Sequence, residues 1–167
     1  YLKRLVEVAQ DAHADVREYI LSLQTNPLGE QDFIPALRGY LERFSQQNGI
    51  ACDLDVPAEL HAIAFESNVG TQLMRIVQEA LTNVRKHARA QNVAIRFQMK
   101  ENCVQIEIAD DGAGFDAGKH ADENQHFGRR IMQERAAEIG GTIEVESAPG
   151  KGTRVFVAVP PRKNGGA

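Results

Sequence analysis

Residues 70–109 constrain the fold most strongly, because the spacing of their apolar residues changes from helical to alternating. From 70 to 88, apolar residues recur every three or four positions, which predicts an amphipathic helix. Residues 93–99 and 104–108 then alternate apolar and polar side chains on either side of a short turn, which predicts a β-hairpin. The apolar side of such a helix must be buried, so we expect it to cover one face of a sheet.

Further elements of both kinds extend this pattern along the chain. Apolar spacing predicts two more helices, at 30–47 and 127–139, each ended by a glycine that suits a left-handed C-cap. Alternating segments predict three more strands, at 50–56, 142–146 and 153–159. About five strands and three helices predict an α+β fold: a two-layer α/β sandwich in which a mixed sheet carries the helices on one face.

The N-terminal part of the chain has a different pattern. Residues 1–24 place apolar side chains at alternating steps of three and four, which is a heptad seam and predicts a long helix. A second apolar row beside this seam suits a helical bundle. We therefore predict three regions: part of a bundle at 1–26, a compact domain at 30–160 and a disordered tail at 161–167.

Composition argues against several classes of protein. An apolar fraction of 43% argues against disorder, and a net charge of −4 provides no global basic surface for nucleic acid. No apolar run approaches the ~20 residues of a membrane-spanning helix. Because the chain begins at Tyr1, we expect a fragment of a longer protein. We also expect Cys52 and Cys103 to be buried thiols rather than metal ligands or a disulfide.

The helix predicted at 70–88 carries a polar edge. Glu79 and Asn83 are four residues apart and lie on one side of the helix, and Lys86 and His87 extend this edge. An amide oxygen can ligate Mg²⁺ and a cation can contact phosphate oxygens, so the set suits a metal-bound polyphosphate. The alternative is an ordinary solvated face that happens to carry one amide.

A glycine-rich loop follows the second strand of the predicted hairpin. Asp110 lies at the strand end, where its carboxylate can accept a hydrogen bond from an exocyclic amine. Gly112 and Gly114 allow positive φ and the close approach of a flat ligand to the backbone. The alternative is a tight turn, because Asp-Gly is a common turn pair.

Two later segments could contact phosphate. Gly128 is predicted to open the helix at 127–139, with Arg129 in its first turn, where backbone N–H groups and a guanidinium attract anions. Thr153 follows Gly152 at a strand start, and its hydroxyl could face a phosphate or a water beside a base. The alternatives are an exposed amphipathic helix and a simple hairpin turn.

The fixed order of these four elements resembles the ATP-binding domain of histidine kinases, in the superfamily shared with gyrase, the ninety-kilodalton chaperone and mismatch-repair clamps (the Bergerat fold). The resemblance is strong over 70–160 and weak over 50–67, and residues 1–24 are similar to the second helix of a dimerisation domain. Three segments resemble the N, first-glycine and second-glycine boxes of the nitrate/nitrite-sensor and DesK-like branch: QEALTNVRKHA (78–88), DDGAGFD (110–116) and HFGRRIMQERA (126–136).

The resemblance implies bound ATP and Mg²⁺ and assigns roles to single residues. Asn83 would ligate Mg²⁺, Asp110 would bind the adenine amino group, and Glu79 would act as a general base or orient a water on the metal. The other ATP-binding residues that it implies are Lys86, His87, Gly112, Gly114, Phe127, Gly128, Arg129, Gly152 and Thr153.

The resemblance also implies the function of a sensor histidine kinase, which transfers the ATP γ-phosphoryl group to a histidine for relay to a response regulator receiver domain. The acceptor histidine is expected to be absent from this fragment, since His13 lacks the surrounding motif. The implied full-length protein is a cytoplasmic homodimer joined through its N-terminal helix. Anchoring in the inner membrane is left open, with no membrane contact by this fragment. Two alternatives also stay open: a protein-serine kinase of the anti-sigma-factor type and a non-catalytic nucleotide-binding module.

Overall fold

The structure is a computed structural model that describes residues 33–61, 65–116 and 123–160. These residues form three α-helices and five strands. The helices are α1 (Phe33–Asn48), α2 (Ser67–Asn83) and α3 (Glu123–Glu138), and the strands are β1 (Ala51–Asp55), β2 (Asn92–Lys100), β3 (Cys103–Asp110), β4 (Thr142–Ser147) and β5 (Thr153–Val159). A 3₁₀-helical turn occupies Ala58–Leu60, and a π-helical turn, Val84–Ala88, continues α2.

The five strands form one mixed sheet in the order β1-β2-β3-β5-β4. β1 runs parallel to β2, whereas the β2–β3, β3–β5 and β4–β5 pairs are antiparallel. Tight turns join the β2–β3 and β4–β5 pairs, while the parallel pair needs a longer crossover, which α2 supplies. This arrangement confirms the predicted α+β fold with a mixed sheet.

One face of the sheet carries the hydrophobic core. Inward-facing strand residues such as Ile95 and Ile106 are buried together with Leu73, Ile76 and Leu81 of α2 in one cluster. Each of these side chains stabilises the folded state by about 1.5–3 kcal/mol through its removal from water. The alternating strands and the three-and-four spacing of α2 therefore meet in the same core, as their patterns predicted.

The other face of the sheet is polar. Glu107 on β3 lies between Arg96 on β2 and Arg154 on β5, with N···O distances of 3.8 and 3.7 Å. The two arginine side chains are 54 and 60% exposed, so each pair stabilises the sheet by ~1 kcal/mol or less. Charged residues on this face explain the polar half of the alternating pattern.

The two cysteines are less buried than the sequence predicts, although both are free thiols as expected. Cys52 is only partly buried because β1 is an edge strand, and burial still raises the pKa of its thiol to about 11. Cys103 opens β3, pairs with Lys100 and is also partly exposed.

Two helices begin earlier than predicted. α2 begins at Ser67 rather than at 70, and α3 begins at Glu123 rather than at 127. Residues 123–126 are polar, so the spacing of apolar residues gives no sign of their helical structure. As a consequence, Gly128 lies inside α3 and not at its start.

Several predictions lie outside the described residues. They are the helix at 1–24, the bundle region at 1–26, the first residues of the region at 30–160 and the tail at 161–167. Among the helices that the structure does describe, none combines the length and the apolar character needed to cross a lipid bilayer.

Candidate functional site

A row of paired residues crosses the sheet where β3 ends. Asp110 pairs with Val93 on one side and with Thr153 on the other, and Thr153 pairs in turn with Ser147. Side chains alternate between the two faces along each strand, which places Asp110, Thr153 and Ser147 on the face that the helices cover. The strand register therefore brings three polar side chains from three strands to one end of the buried face.

The end of α2 adds a second set of polar groups. Asn83 is the last residue of the α-helix, and the π-helical turn that follows brings His87 to the same cleft as Asn83. Lys86 is exposed and does not line this cleft. A π-helical turn contains more residues than an α-helical turn, so the predicted straight edge of four polar residues does not continue past Asn83.

The loop at 112–115 lies between the end of α2 and the β4–β5 turn. The Ala113 N–H donates to the Ala88 carbonyl at 2.7 Å, and the Gly150 N–H donates to the Ala113 carbonyl at 2.6 Å. A Cβ on Gly112 would overlap the carbonyl oxygen of Ala88 and lie 2.6 Å from its Cβ. Gly112 is thus required where two backbones meet, which is a different reason from the predicted close approach of a flat ligand.

These elements enclose a cleft at the end of the sheet. Its open space, including solvent at the mouth, is about 840 Å³. The apolar walls consist of Ala80, Val84, Ala88, Ile108, Phe115, Met132, Val145 and Val155. The other lining residues are Asn83, His87, Asp110, Gly114, Arg129 and Thr153.

Among the described residues that line the cleft, Asp110 is the only carboxylate. Burial raises its pKa from the usual 3.8, the hydrogen bonds from Gly112 and Thr153 oppose this shift, and the charge of Asp111 adds to it. The Gly112 N–H lies 2.8 Å from Oδ1 of Asp110. A partly buried carboxylate at the base of an apolar cleft favours a ligand that donates a hydrogen bond.

Asp111 makes a separate set of hydrogen bonds. Its Oδ1 accepts from the N–H groups of Gln91 and Asn92 at 2.8 and 2.9 Å, and its Oδ2 accepts from Nδ2 of Asn92 at 2.7 Å. The side chain of Asn92 contributes most, followed by the two backbone groups, to a lowered pKa of Asp111. Asp111 therefore joins the loop after β3 to the start of β2.

Replacing Asp111 by asparagine is expected to destabilise the domain at neutral pH, because an amide N–H₂ would face the Asn92 donor. A carboxyl group whose pKa is lowered by folding adds stability above its unfolded pKa of ~3.9, and this stability is lost as pH falls through the folded pKa. The native protein and Asp111→Asn should therefore differ in urea unfolding at neutral pH, and the difference should shrink as pH falls below ~3.9 toward the lowered folded pKa. Asp53→Asn, on the exposed side of β1, is the control; an undiminished difference at low pH would contradict this role.

α3 approaches α2 closely at Gly128. A Cβ on Gly128 would overlap Oε1 of Glu79 and lie 3.6 Å from Nδ2 of Asn83. The prediction that Gly128 lies at the start of a phosphate-binding helix is wrong, because Gly128 lies inside α3. The absence of a side chain at Gly128 leaves room for the polar edge of α2. Arg129, the next residue, lines the cleft.

The structure brings together about half of the predicted site residues. Those that line the cleft are Asn83, His87, Asp110, Gly114, Arg129 and Thr153. Glu79, Lys86, Gly112, Gly128 and Gly152 are outside this lining, and the side chain of Phe127 is outside the described part of the structure.

Sequence reasoning missed the apolar walls and Ser147. Ile108, Val145 and Val155 occupy inward-facing strand positions, so the alternating pattern contained a signal for them. Met132 follows the arginine of the cleft by three residues and therefore shares its side of α3. Ser147 also occupies an inward-facing position of β4, but the alternation gave no sign of its hydrogen bond to Phe115, which lies 32 residues away in the sequence.

A family profile agrees with this geometry. Residues 68–163 match the family described as histidine kinase-, DNA gyrase B- and HSP90-like ATPases. Because the match covers more than half of the chain, the chain belongs to this family, and as an ATPase domain it binds ATP.

Individual relatives define the branch more closely. The chain is 34% identical to the sensor histidine kinase LiaS of Bacillus subtilis, over 94% of the chain and 42% of LiaS. It is 29% identical to the nitrate/nitrite sensor protein NarQ of Escherichia coli, over 91% of the chain and 26% of NarQ. Its fold is similar to the histidine kinase domain of the Erythrobacter litoralis EL346 blue-light activated histidine kinase, with a TM-score of 0.68. The two chains are 18% identical, and the match covers 96% of this chain and 88% of the other.

Within the family, the chain corresponds to the ATP-binding catalytic region of a sensor histidine kinase. This agrees with the predicted resemblance to the nitrate/nitrite-sensor and DesK-like branch. The chain spans between 26 and 45% of the length of the curated relatives that it matches.

Proposed function

We propose that the cleft binds Mg·ATP and that the full-length protein transfers the γ-phosphoryl group to a histidine side chain. The observation that carries this proposal is the convergence of Asn83, Asp110, Arg129 and Thr153 on one apolar cleft. An adenine nucleotide requires these groups together. The carboxylate suits its amine, the apolar walls suit its base, and the amide and guanidinium suit the metal and the phosphates.

The adenine ring would lie between the apolar walls, with its exocyclic amine donating to Asp110. This carboxylate already accepts hydrogen bonds from Gly112 and Thr153, and it has lone pairs for one more donor. Gly114 would border the base, while the phosphates would extend toward Arg129 and the end of α2. In this orientation the Asp110 carboxylate accepts from the base, and the Arg129 guanidinium faces the negative charge of the phosphates.

Mg²⁺ fits the groups at the end of α2. Within the described residues, no cluster of three or more His, Cys, Asp or Glu side chains could hold a metal ion by itself. Mg²⁺ commonly needs only one or two protein oxygens, with water and substrate phosphates as its other ligands, and Asn83, which lines the cleft, has an amide oxygen that could be one of them. Glu79, one helical turn earlier, would act as the base or orient a water on the metal. Bound there, Mg²⁺ would neutralise charge on the phosphates.

The remaining residues are proposed to act around the phosphates and the loops. Lys86 and His87 would contact the phosphates from the π-helical turn. Beside the proposed adenine ring, Gly112 and Gly152 allow the loop backbones to lie close together, since a side chain on either would overlap a neighbouring carbonyl. Phe127 and Gly128, inside α3, would lie beside the phosphates.

In the full-length protein, transfer would break the bond between the γ-phosphorus and its bridging oxygen, form a P–N bond to an imidazole and release ADP. The enzyme contributes positioning and charge neutralisation. We propose that the acceptor histidine lies outside this chain, and that the phosphoryl group passes on to an aspartate of a response regulator receiver domain.

The regions of the chain would divide this work. Residues 1–26 would form the second helix of a dimerisation bundle that joins two copies, and 30–160 would form the catalytic domain, followed by a disordered tail at 161–167. The proposed location of the catalytic domain is the cytoplasm, where ATP and receiver domains are available, without contact to nucleic acid or membrane.

Incubation of the full-length protein with γ-labelled ATP is expected to give a phosphoprotein that loses its label in acid and retains it in base, as phosphohistidine does. A serine kinase would give acid-stable label, and a non-catalytic module would give none, so each alternative has its own result. The relative LiaS is named a sensor histidine kinase, which favours the first outcome. Acid-stable label or no label would overturn histidine transfer, while calorimetry with ATP would still report binding.

A further inference from the structure

Ser147 connects three segments around the cleft. Its hydroxyl oxygen accepts a hydrogen bond from the Phe115 N–H at 2.9 Å and donates to the Gly152 carbonyl at 2.9 Å. The same oxygen lies 3.1 Å from the hydroxyl oxygen of Thr153. One side chain at the end of β4 therefore contacts the loop after β3 and the start of β5, although it does not itself line the cleft.

The number of available protons determines the direction of these hydrogen bonds. Thr153 pairs with Asp110 across β3 and β5, and hydrogen bonds from its backbone N–H and its hydroxyl act to lower the pKa of the Asp110 carboxyl group. A hydroxyl has one proton, so the Thr153 proton that points to Asp110 is not available to Ser147. Either hydroxyl could donate between the two oxygens. When Thr153 gives its proton to Asp110, the Ser147 proton has to form a three-centre hydrogen bond with the Gly152 carbonyl and the Thr153 hydroxyl oxygen. In that arrangement the hydroxyl groups are linked from Ser147 through Thr153 to Asp110.

The loop that forms one wall of the cleft depends on the same contacts. Gly114 and Phe115 line the cleft, and Phe115 is held by Ser147. A Cβ on Gly114 would overlap the carbonyl oxygen of Ala148, directly after Ser147, so the loop and the β4–β5 turn touch here. Loss of the Ser147 hydroxyl would release the wall and the Thr153 hydroxyl together.

We infer that Ser147 is a positioning residue for recognition of the nucleotide base: it holds the Thr153 hydroxyl toward Asp110 and holds the loop at 112–115 against the β4–β5 turn. The inference rests on the proposed function, because it requires that Asp110 accepts a hydrogen bond from the amine of adenine. Linked hydrogen bonds orient one another, so removal of the Ser147 hydroxyl should reduce the alignment of the Asp110 carboxylate.

Comparison of ATP with inosine triphosphate separates this role from general support of the fold. The two nucleotides share ribose and phosphates, but the hypoxanthine ring has a carbonyl oxygen where adenine has an amine. By calorimetry, the native full-length protein should bind ATP at least ~10-fold more tightly, since inosine presents a carbonyl acceptor at the amine position and its N1–H donor lies at the neighbouring ring position instead. Ser147→Ala should weaken ATP binding roughly fivefold and inosine triphosphate binding much less, which lowers the ratio of the two affinities.

Three variants serve as controls for this measurement. Ser147→Thr keeps the hydroxyl and should retain the ratio, and Thr142→Ala, at the other end of β4, should not change it. Thr153→Val removes the hydroxyl that follows Ser147 in the series of hydrogen bonds. Its effect should not add to that of Ser147→Ala, because both substitutions interrupt one chain of hydrogen bonds.

Each outcome bears on a different claim. Equal binding of both nucleotides by the native protein would overturn the role of Asp110 and with it the proposed base site. Two results would overturn only the positioning role. In the first, Ser147→Ala keeps the full preference of the native protein for ATP. In the second, Ser147→Ala loses affinity equally for both nucleotides. If urea unfolding shows that Ser147→Ala does not fold, Ser147→Cys, which has a weaker donor, should give an intermediate ratio, and an unchanged ratio would overturn the inference.

Discussion

Replacement of Asn83 by alanine is expected to weaken the binding of Mg·ATP by at least ~100-fold, because even second-layer residues at metal sites commonly contribute 10–100-fold. Asn83 lines the cleft, and its amide has the oxygen that we assign to the metal. Alanine is a good helix former, so α2 should stay intact. Calorimetric titration with ATP, with and without magnesium, measures the effect.

Asn68→Ala is the matched control for this substitution, since Asn68 is an exposed asparagine on the same helix. It should leave the affinity unchanged. The defect of Asn83→Ala should largely disappear when magnesium is removed with EDTA, because metal-free ATP does not use the amide as a ligand. Unchanged affinity for Mg·ATP in Asn83→Ala would show that the amide does not bind the metal.

Gly152→Ala is expected to lower the free energy of unfolding by roughly 2–5 kcal/mol. Gly152 has a φ of 69°, and a Cβ there would overlap the carbonyl oxygen of Asp110. The left-handed conformation costs a non-glycine residue ~1–2 kcal/mol. Overlap within a packed region adds ~1–3 kcal/mol. Urea denaturation measures the loss, and ATP binding should weaken as well, because the overlap displaces Asp110.

Gly150→Ala isolates the contribution of the backbone conformation. Gly150 has a φ of 76°, but a Cβ there would have nothing within 4 Å. This variant should therefore lose only the ~1–2 kcal/mol of the left-handed conformation. Equal losses in Gly150→Ala and Gly152→Ala would mean that contact between Gly152 and Asp110 does not constrain the fold.

Local patterns predicted those parts of the fold that depend on neighbours in the sequence. The alternation of residues 93–99 and 104–108 predicted a hairpin, which the structure contains as β2 and β3. The four-residue spacing of Glu79 and Asn83 correctly placed both on α2, since a helix repeats over that distance. The early start of α3 was missed, because polar residues at a helix start do not contribute to an apolar pattern.

The candidate site was predictable to a smaller extent. Asp110 was identified from its position after a strand, and the structure places it in the cleft. Its hydrogen-bond partner Thr153 was selected for a different contact, and Ser147 was not selected. Thr153 lies beside Asp110 because β5 pairs with β3, a contact between segments more than 40 residues apart, while the β4–β5 pairing places Ser147 beside Thr153.

The sequence by itself determined the kinds of element, their order and the residue types available for a nucleotide, because periodicity and motif spacing are local properties. Only the tertiary structure decided which of these residues share a cleft. The π-helical turn separated His87 from Lys86, the close packing at Gly128 brought α3 against Glu79, and the strand pairing placed Ser147 beside Thr153. The physical reason is that side-chain direction and contact across the sheet depend on backbone geometry and strand register, which involve residues that the sequence keeps apart.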